Sequence, residues 1–173
     1  PQLMPTLDVE MAWPLVERAR FTGLDVRLSA VVTEIRSTGV TLGDGTTLGA
    51  DCVVVAVGAR PNTELAVAAG LKMGEAGGVW VDEQQRTSDP HIWAVGDVAE
   101  KARPDGHSLV PLAGLANRHG RLAADSIMGR HAEAATAYGT SIVGFFGVAA
   151  ASTGYTERVL RAKGRNIRVI HTH

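Results

Sequence analysis

The chain of 173 residues is 45% apolar and 20% charged, a globular balance with length for one ordinary domain and a small second one. A net charge of −1 gives no pull toward nucleic acid or a membrane surface, and 5% aromatics give no stacking platform for single strands. No apolar run reaches the ~18 residues of a membrane span, no secretory leader is visible, and Cys52, the single cysteine, leaves no internal disulfide or CxxC pair, so a cytoplasmic setting is expected.

Asp8 is placed as the N-cap of a first helix, with Glu10 in its positive first turn. Met11, Leu15, Val16 and Ala19 form the expected inward stripe, and Gly23 the stop. From Leu24 the period changes: Val26, Leu28, Ala30 and Val32 alternate as in a half-buried strand. Val40-Thr41-Leu42 and Thr47-Leu48 flank the turn Gly43-Asp44-Gly45, which makes this stretch a β-meander. Val53–Val57 is a continuous apolar run suited to a strand buried on both faces, with Cys52 at its start as an inert buried thiol.

Gly58-Ala59-Arg60-Pro61-Asn62 breaks that run. Asn62 or Thr63 then caps a short helix through Ala69, stopped by Gly70. Val79-Trp80-Val81 and Ile92–Val95 read as short strands, and Pro104, Asp105 and Gly106 as a polar loop. A helix is expected from about Leu112 to Met128, stopped by Gly129, with Leu115, Leu122, Ala123 and Ile127 inward and His119 exposed. Ile142–Val148 and Ala149–Thr153 read as strands, Thr156 caps a helix through Ala162, Gly164 ends it, and Ile167–Ile170 begins a last strand. Arg158, Arg161, Lys163, Arg165 and Arg168 read as a solvated basic edge. His171 and His173 share one side of the last strand but have no third ligand for zinc, so no metal site is expected.

Two neighbouring motifs carry the chemistry. Thr87-Ser88-Asp89-Pro90 leads into the short apolar strand and then Gly96-Asp97. A carboxylate at a strand's carboxyl end accepts hydrogen bonds from ribitol or ribose hydroxyls, and the glycine before it lets a cofactor approach the backbone. Pro111–Arg121 opens a helix whose positive N-terminus suits the pyrimidine end of a flavin. A strand end facing a helix start is where open α/β sheets bind nucleotides.

These segments resemble the pyridine nucleotide-disulfide oxidoreductases of the single-cysteine branch: coenzyme A-disulfide reductases, NADH oxidases, NADH peroxidases and persulfide or polysulfide reductases. Met4–Ala12 looks like the segment just past the family's NAD-binding glycine turn, and Val57–Thr63 is similar to the crossover back to the FAD domain. Thr87–Asp97 resembles the second FAD motif, while Gly139-Thr140-Ser141 and Ala151–Gly154 resemble the start of the dimerisation domain. The run Pro111-Leu112-Ala113-Gly114 with Ala116-Asn117-Arg118 resembles the coenzyme A-disulfide reductase side of the family.

The resemblance implies an α/β fold: partial three-layer FAD/NAD(P)-binding (Rossmann-like) domains, followed by the start of an α+β dimerisation domain. The implied divisions are 1–57 for NAD(P), 58–137 for FAD and 138–173 for dimerisation. It implies FAD and NAD(P)H as cofactors, with electrons passing to a disulfide, persulfide, peroxide or oxygen. Asp97 would hold the flavin ribityl chain, Leu112, Ala113 and Gly114 would present backbone to the isoalloxazine, and Gly58, beside Val57, would lie along the nicotinamide path. A small-molecule substrate, coenzyme A-linked species included, and a homo-oligomer are implied, with no nucleic acid or membrane partner. Neither Gly-x-Gly-x-x-Gly turn nor the redox cysteine is present. The expectation is therefore an interior-to-C-terminal piece of a longer enzyme, with no catalytic residue of its own. A module that binds no cofactor is the alternative.

Overall fold

A computed structural model describes residues 2–172. In chain order the elements are α1 (Val9–Phe21), β1 (Val32–Arg36), β2 (Gly39–Leu42), β3 (Thr47–Gly49), α2 (Glu64–Ala68), a 3-10 turn (Gly96–Val98), β4 (Lys101–Arg103), β5 (Gly106–Ser108), α3 (Ala113–Ile127), β6 (Ser141–Phe145), β7 (Val148–Ser152) and α4 (Glu157–Ala162). They fall into two units. The first comprises the chain up to Gly58, Val143–Ala150, and the chain from Tyr155; the second comprises Ala59–Ile142 and Ala151–Gly154. No helix among the described residues is long and apolar enough to cross a membrane.

The helix stops follow the sequence. α1 to α4 are each followed by a glycine at positive φ, namely Gly23, Gly70, Gly129 and Gly164. In each case the next residue's N–H donates back five positions into the last turn, as Leu24 does to Ala19 and Arg130 to Asp125.

In the first unit, α1 buries Ala12, Leu15, Val16 and Ala19. Leu7, Ala12 and Leu15 form a core cluster on which Met4, Phe145 and Ala150 pack. Met11 is exposed, and Ala12 takes its expected place on the inward stripe. Asp8 sits at the N-cap of α1, yet its carboxylate serves another helix: it accepts from the N–H of Glu157 at 2.9 Å and of Arg158 at 3.3 Å. The meander is present as an antiparallel β1-β2-β3 sheet, with Val40 opposite both Ile35 and Leu48. Its first strand starts only at Val32; the alternation of Val26, Leu28 and Ala30 forms no strand, because the β2 partner ends at Leu42, opposite Val32.

The Val53–Val57 run is the largest departure. It forms no strand, and Val54 and Val57 are 84% and 90% exposed. A parallel strand takes its hydrogen bonds from neighbours on either side, and none lies beside this run among the described residues. Ile167–Ile170 forms no strand for the same reason. Cys52 is exposed rather than buried. The two expected strands near the C-terminus are present as β6 and β7, but they form a hairpin whose turn falls inside the run read as one strand: Phe146-Gly147, with φ of 47° and 80°, are the two left-handed residues of a type I′ turn.

The second unit is held mainly by single bridges. Val79 pairs with Met73 and Ala99, and Arg86 with Trp93. The expected strands at Val79–Val81 and Ile92–Val95 are reduced to these contacts, although Val79 and Val81 are buried. The stretch expected as a polar loop is the β4–β5 hairpin, which pairs Lys101 with Ser108 and Arg103 with Gly106. α3 starts and stops as read, but its buried face is His119, Ala123 and Ser126, with Ile127 exposed. Ser126 lies inside because its hydroxyl receives the Trp93 indole N–H at 3.1 Å.

Candidate functional site

Gly96 opens the 3-10 turn with φ of 79°, a left-handed conformation that disfavours any Cβ. Around it a Cβ would meet nothing within 4 Å, so the backbone here is open to close approach. Asp97 follows, exposed. The turn is pinned from behind: the Val79 N–H donates to the Val98 carbonyl at 2.8 Å, and the Glu100 N–H donates to the Val79 carbonyl at 2.9 Å.

Helix α3 packs against this turn. Leu112 is its extended N-cap, with φ of −128° and ψ of 123°. The first-turn N–H groups, those of Ala113 and Gly114 among them, have no helical carbonyl to bond and carry the positive end of the dipole. Leu112, Ala113 and Gly114 line a groove of about 510 Å³ together with Arg118 and the 136–142 segment. Gly96 and Asp97 are not among the residues lining that groove. Gly58 lies in the first unit, with φ of 102° and open space where a Cβ would stand.

The residues that sequence reading missed lie beneath the turn. Lys101 is buried, and its Nζ donates to the carbonyls of Gly96 at 2.5 Å and Ala99 at 3.0 Å. Burial draws its pKa below the ordinary lysine value, and the Asp97 charge opposes that. Glu100 is buried as well, with one oxygen accepting the Gly78 N–H at 3.1 Å. Gly74 lies close against this group, and a Cβ there would force the Glu100 carboxylate to shift. His119, expected on the solvent face, is only 2% exposed; burial first, then the charges of Lys101 and Arg118, lower its pKa below the ordinary histidine range. Its helical spacing with Ala123 and Ser126 was the one available signal.

His173 lies outside the described residues, and among those described no cluster of three potential ligands could hold a metal ion. Two of the basic residues near the C-terminus bond within the protein: Arg161 pairs with Glu157 in the same helix, and Arg158 donates to the distant Pro5 carbonyl.

A glycine-acid turn packed on a helix, in a mixed helix-strand chain similar to solved FAD/NAD-binding relatives, fits a partial Rossmann-like nucleotide-binding fold. A family model described as pyridine nucleotide-disulphide oxidoreductase matches residues 1–125. The chain belongs to that family. It is 39% identical over 127 residues to the NAD(P)H sulfur oxidoreductase (CoA-dependent) of Pyrococcus furiosus, covering 72% of this chain and 29% of that protein. It is similar to the NAD-dependent persulfide reductase from A. fulgidus at 38% identity and a TM-score of 0.89, covering 94% of this chain and 31% of that one. The reduced CoADR-RHD of Bacillus anthracis gives 33% identity and a TM-score of 0.89, covering 95% and 30%. The chain thus spans less than a third of the length of each of these relatives.

Proposed function

We propose that this chain supplies one wall of the flavin site in an FAD-dependent oxidoreductase. Electrons from NAD(P)H would pass through FAD to a disulfide, persulfide, peroxide or oxygen. The observation that carries the reading is the Gly96-Asp97 turn packed against α3, inside the segment that matches the family. The residues fit the ribityl and pyrimidine parts of FAD. The Asp97 carboxylate is exposed, and the bonds of the neighbouring Lys101 ammonium go to carbonyls. The open Gly96 backbone admits a ligand, and free N–H groups at Ala113 and Gly114 can receive the negative charge that a reduced flavin gains.

In this reading Asp97 binds a ribityl hydroxyl, Leu112, Ala113 and Gly114 present backbone to the ring system, and Gly58 lies along the nicotinamide path. Residues 1–57 belong to an NAD(P) domain, 58–137 to an FAD domain and 138–173 to a dimerisation domain. FAD supplies two-electron chemistry when bound; the chain's own residues orient it and hold its charge. The acceptor class includes coenzyme A-linked disulfides and persulfides, in keeping with similar proteins named as a CoA-dependent NAD(P)H sulfur oxidoreductase and an NAD-dependent persulfide reductase. The working form is a cytoplasmic homo-oligomer.

Titration of the purified chain with FAD, followed by flavin absorbance and fluorescence, tests this. Binding is expected, and Asp97→Ala should weaken it about 10- to 100-fold, the loss of one or two hydrogen bonds to a charged group at ~1.5–3 kcal/mol. A chain that never binds FAD is the cofactor-free module and ends the proposal.

A further inference from the structure

Behind the Gly96–Val98 turn the second unit encloses a cavity of about 90 Å³. Gln85, Glu100, Lys101 and His119 line it, and each is at most 2% exposed. They arrive from four places: the 82–86 loop, the end of the 3-10 turn, the start of β4 and the middle of α3. Four buried polar side chains around one small cavity are not a by-product of apolar packing. Three of their atoms, Gln85 Oε1, Glu100 Oε2 and His119 Nδ1, have no hydrogen-bond partner among the described residues.

Gln85 is held inward deliberately. Its φ of 64° is left-handed, which a side chain other than glycine rarely adopts. The surrounding backbone over-determines it: its N–H donates to the Asp82 carbonyl at 3.0 Å, and its carbonyl accepts from Ala94 at 3.1 Å. The Asp82 carboxylate gathers the N–H groups of Gln84 and Arg86 on either side, at 2.9 and 2.8 Å.

We infer that this cavity is a hydration site, holding a small cluster of water molecules that joins Gln85 and His119 to Lys101. The chemistry of the lining selects the occupant. A bare cation would lie against the Lys101 ammonium. A bare anion would lie against the Gln85 carbonyl oxygen and the Glu100 carboxylate. Asp82, Glu83 and His107 complete the polar part of the lining, and a neutral molecule that both donates and accepts satisfies the four buried side chains together. The volume, 90 Å³, matches about three waters at ~30 Å³ each. Lys101 has three N–H donors and spends two on the Gly96 and Ala99 carbonyls, leaving one for water. His119, neutral because burial disfavours its charged form, contributes one donor and one acceptor. Through Lys101 the cluster stands one hydrogen bond behind Gly96, and through His119 it reaches α3. It thereby ties the turn to the helix with no direct side-chain bond between them. The inference stands whether or not the turn binds flavin.

Crystallography of the 173-residue chain at a resolution that shows waters, with water-oxygen magnetic relaxation dispersion to count long-lived internal waters, tests it. Ordered water within hydrogen-bond distance of Gln85 Oε1 and His119 Nδ1 is expected. Gln85→Leu, which removes one acceptor and one donor group, should lose at least one long-lived water. A dry cavity, a sodium or chloride ion in it, side chains closing it, or an unchanged count in Gln85→Leu would overturn the inference. Should Gln85→Leu fail to fold, the parent structure decides by itself.

Discussion

Lys101→Met isolates what holds the Gly96–Val98 turn. The substitution keeps most of the buried stem and deletes the ammonium. Two carbonyls, those of Gly96 and Ala99, then lose donors now at 2.5 and 3.0 Å. The Ala99 carbonyl is left bare, at about 2 kcal/mol, while the Gly96 carbonyl keeps the Ala99 N–H and loses about 1 kcal/mol, so roughly 3 kcal/mol is lost in all. Against this, the apolar variant no longer buries a charge, whose cost is visible in the lowered Lys101 pKa. That relief is partial, because the Asp97 charge already offsets some of the cost. The net expectation is destabilisation by about 1–2 kcal/mol. Urea unfolding measures it, with Trp93, which packs through Ser126 onto α3, as one reporter. Hydrogen exchange adds a local readout: the Ala99 N–H, bonded to the Gly96 carbonyl, and the Glu100 N–H, bonded to Val79, should exchange faster. A methionine variant at least as stable as the parent, with unchanged exchange at these amides, would refute the claim that the ammonium organises the turn.

Other positions separate local strain from collision and charge. Gly96→Ala should cost only about 1 kcal/mol, since the added Cβ meets nothing and only the positive φ resists it, whereas Gly74→Ala should cost about 2–3 kcal/mol by displacing the buried Glu100 carboxylate; comparing their urea midpoints checks the order. His119 has a folded pKa below its ordinary 6.5, so the unfolded chain binds more protons in the window between the two values; stability should fall as pH drops below 6.5, and His119→Gln should flatten that slope in denaturation curves taken across pH. Asp8→Ala removes the acceptor for the Glu157 and Arg158 N–H groups and should cost about 1 kcal/mol by thermal unfolding, with α4 rather than α1 losing protection in hydrogen exchange.

The Asp8 result shows how far local reading goes. Its position as a cap was legible, but the helix it serves lies about 150 residues away in sequence, and no window around residue 8 contains that information. The same holds for His119. Helical spacing made it a member of α3, while its burial depends on Lys101 and the 82–86 loop closing over it. Lys101 and Glu100 read as ordinary polar residues after the Gly-Asp pair. Only the fold shows one binding backbone carbonyls and the other supporting Gly78.

Features fixed within a few residues or by long specific patterns were legible in the sequence. The four glycine-stopped helices, the Gly43-Asp44-Gly45 turn and the family motifs from Thr87 to Arg121 are of this kind. Turn and cap hydrogen bonds close over three to five positions, so their signals are local. Tertiary structure alone decided which apolar runs became strands and which polar side chains went inside. Val53–Val57 has every strand propensity yet forms none, because a strand exists only beside a partner. Gln85, Lys101 and His119 became an interior because burial is a property of what surrounds a residue, and their surroundings were assembled from distant parts of the chain.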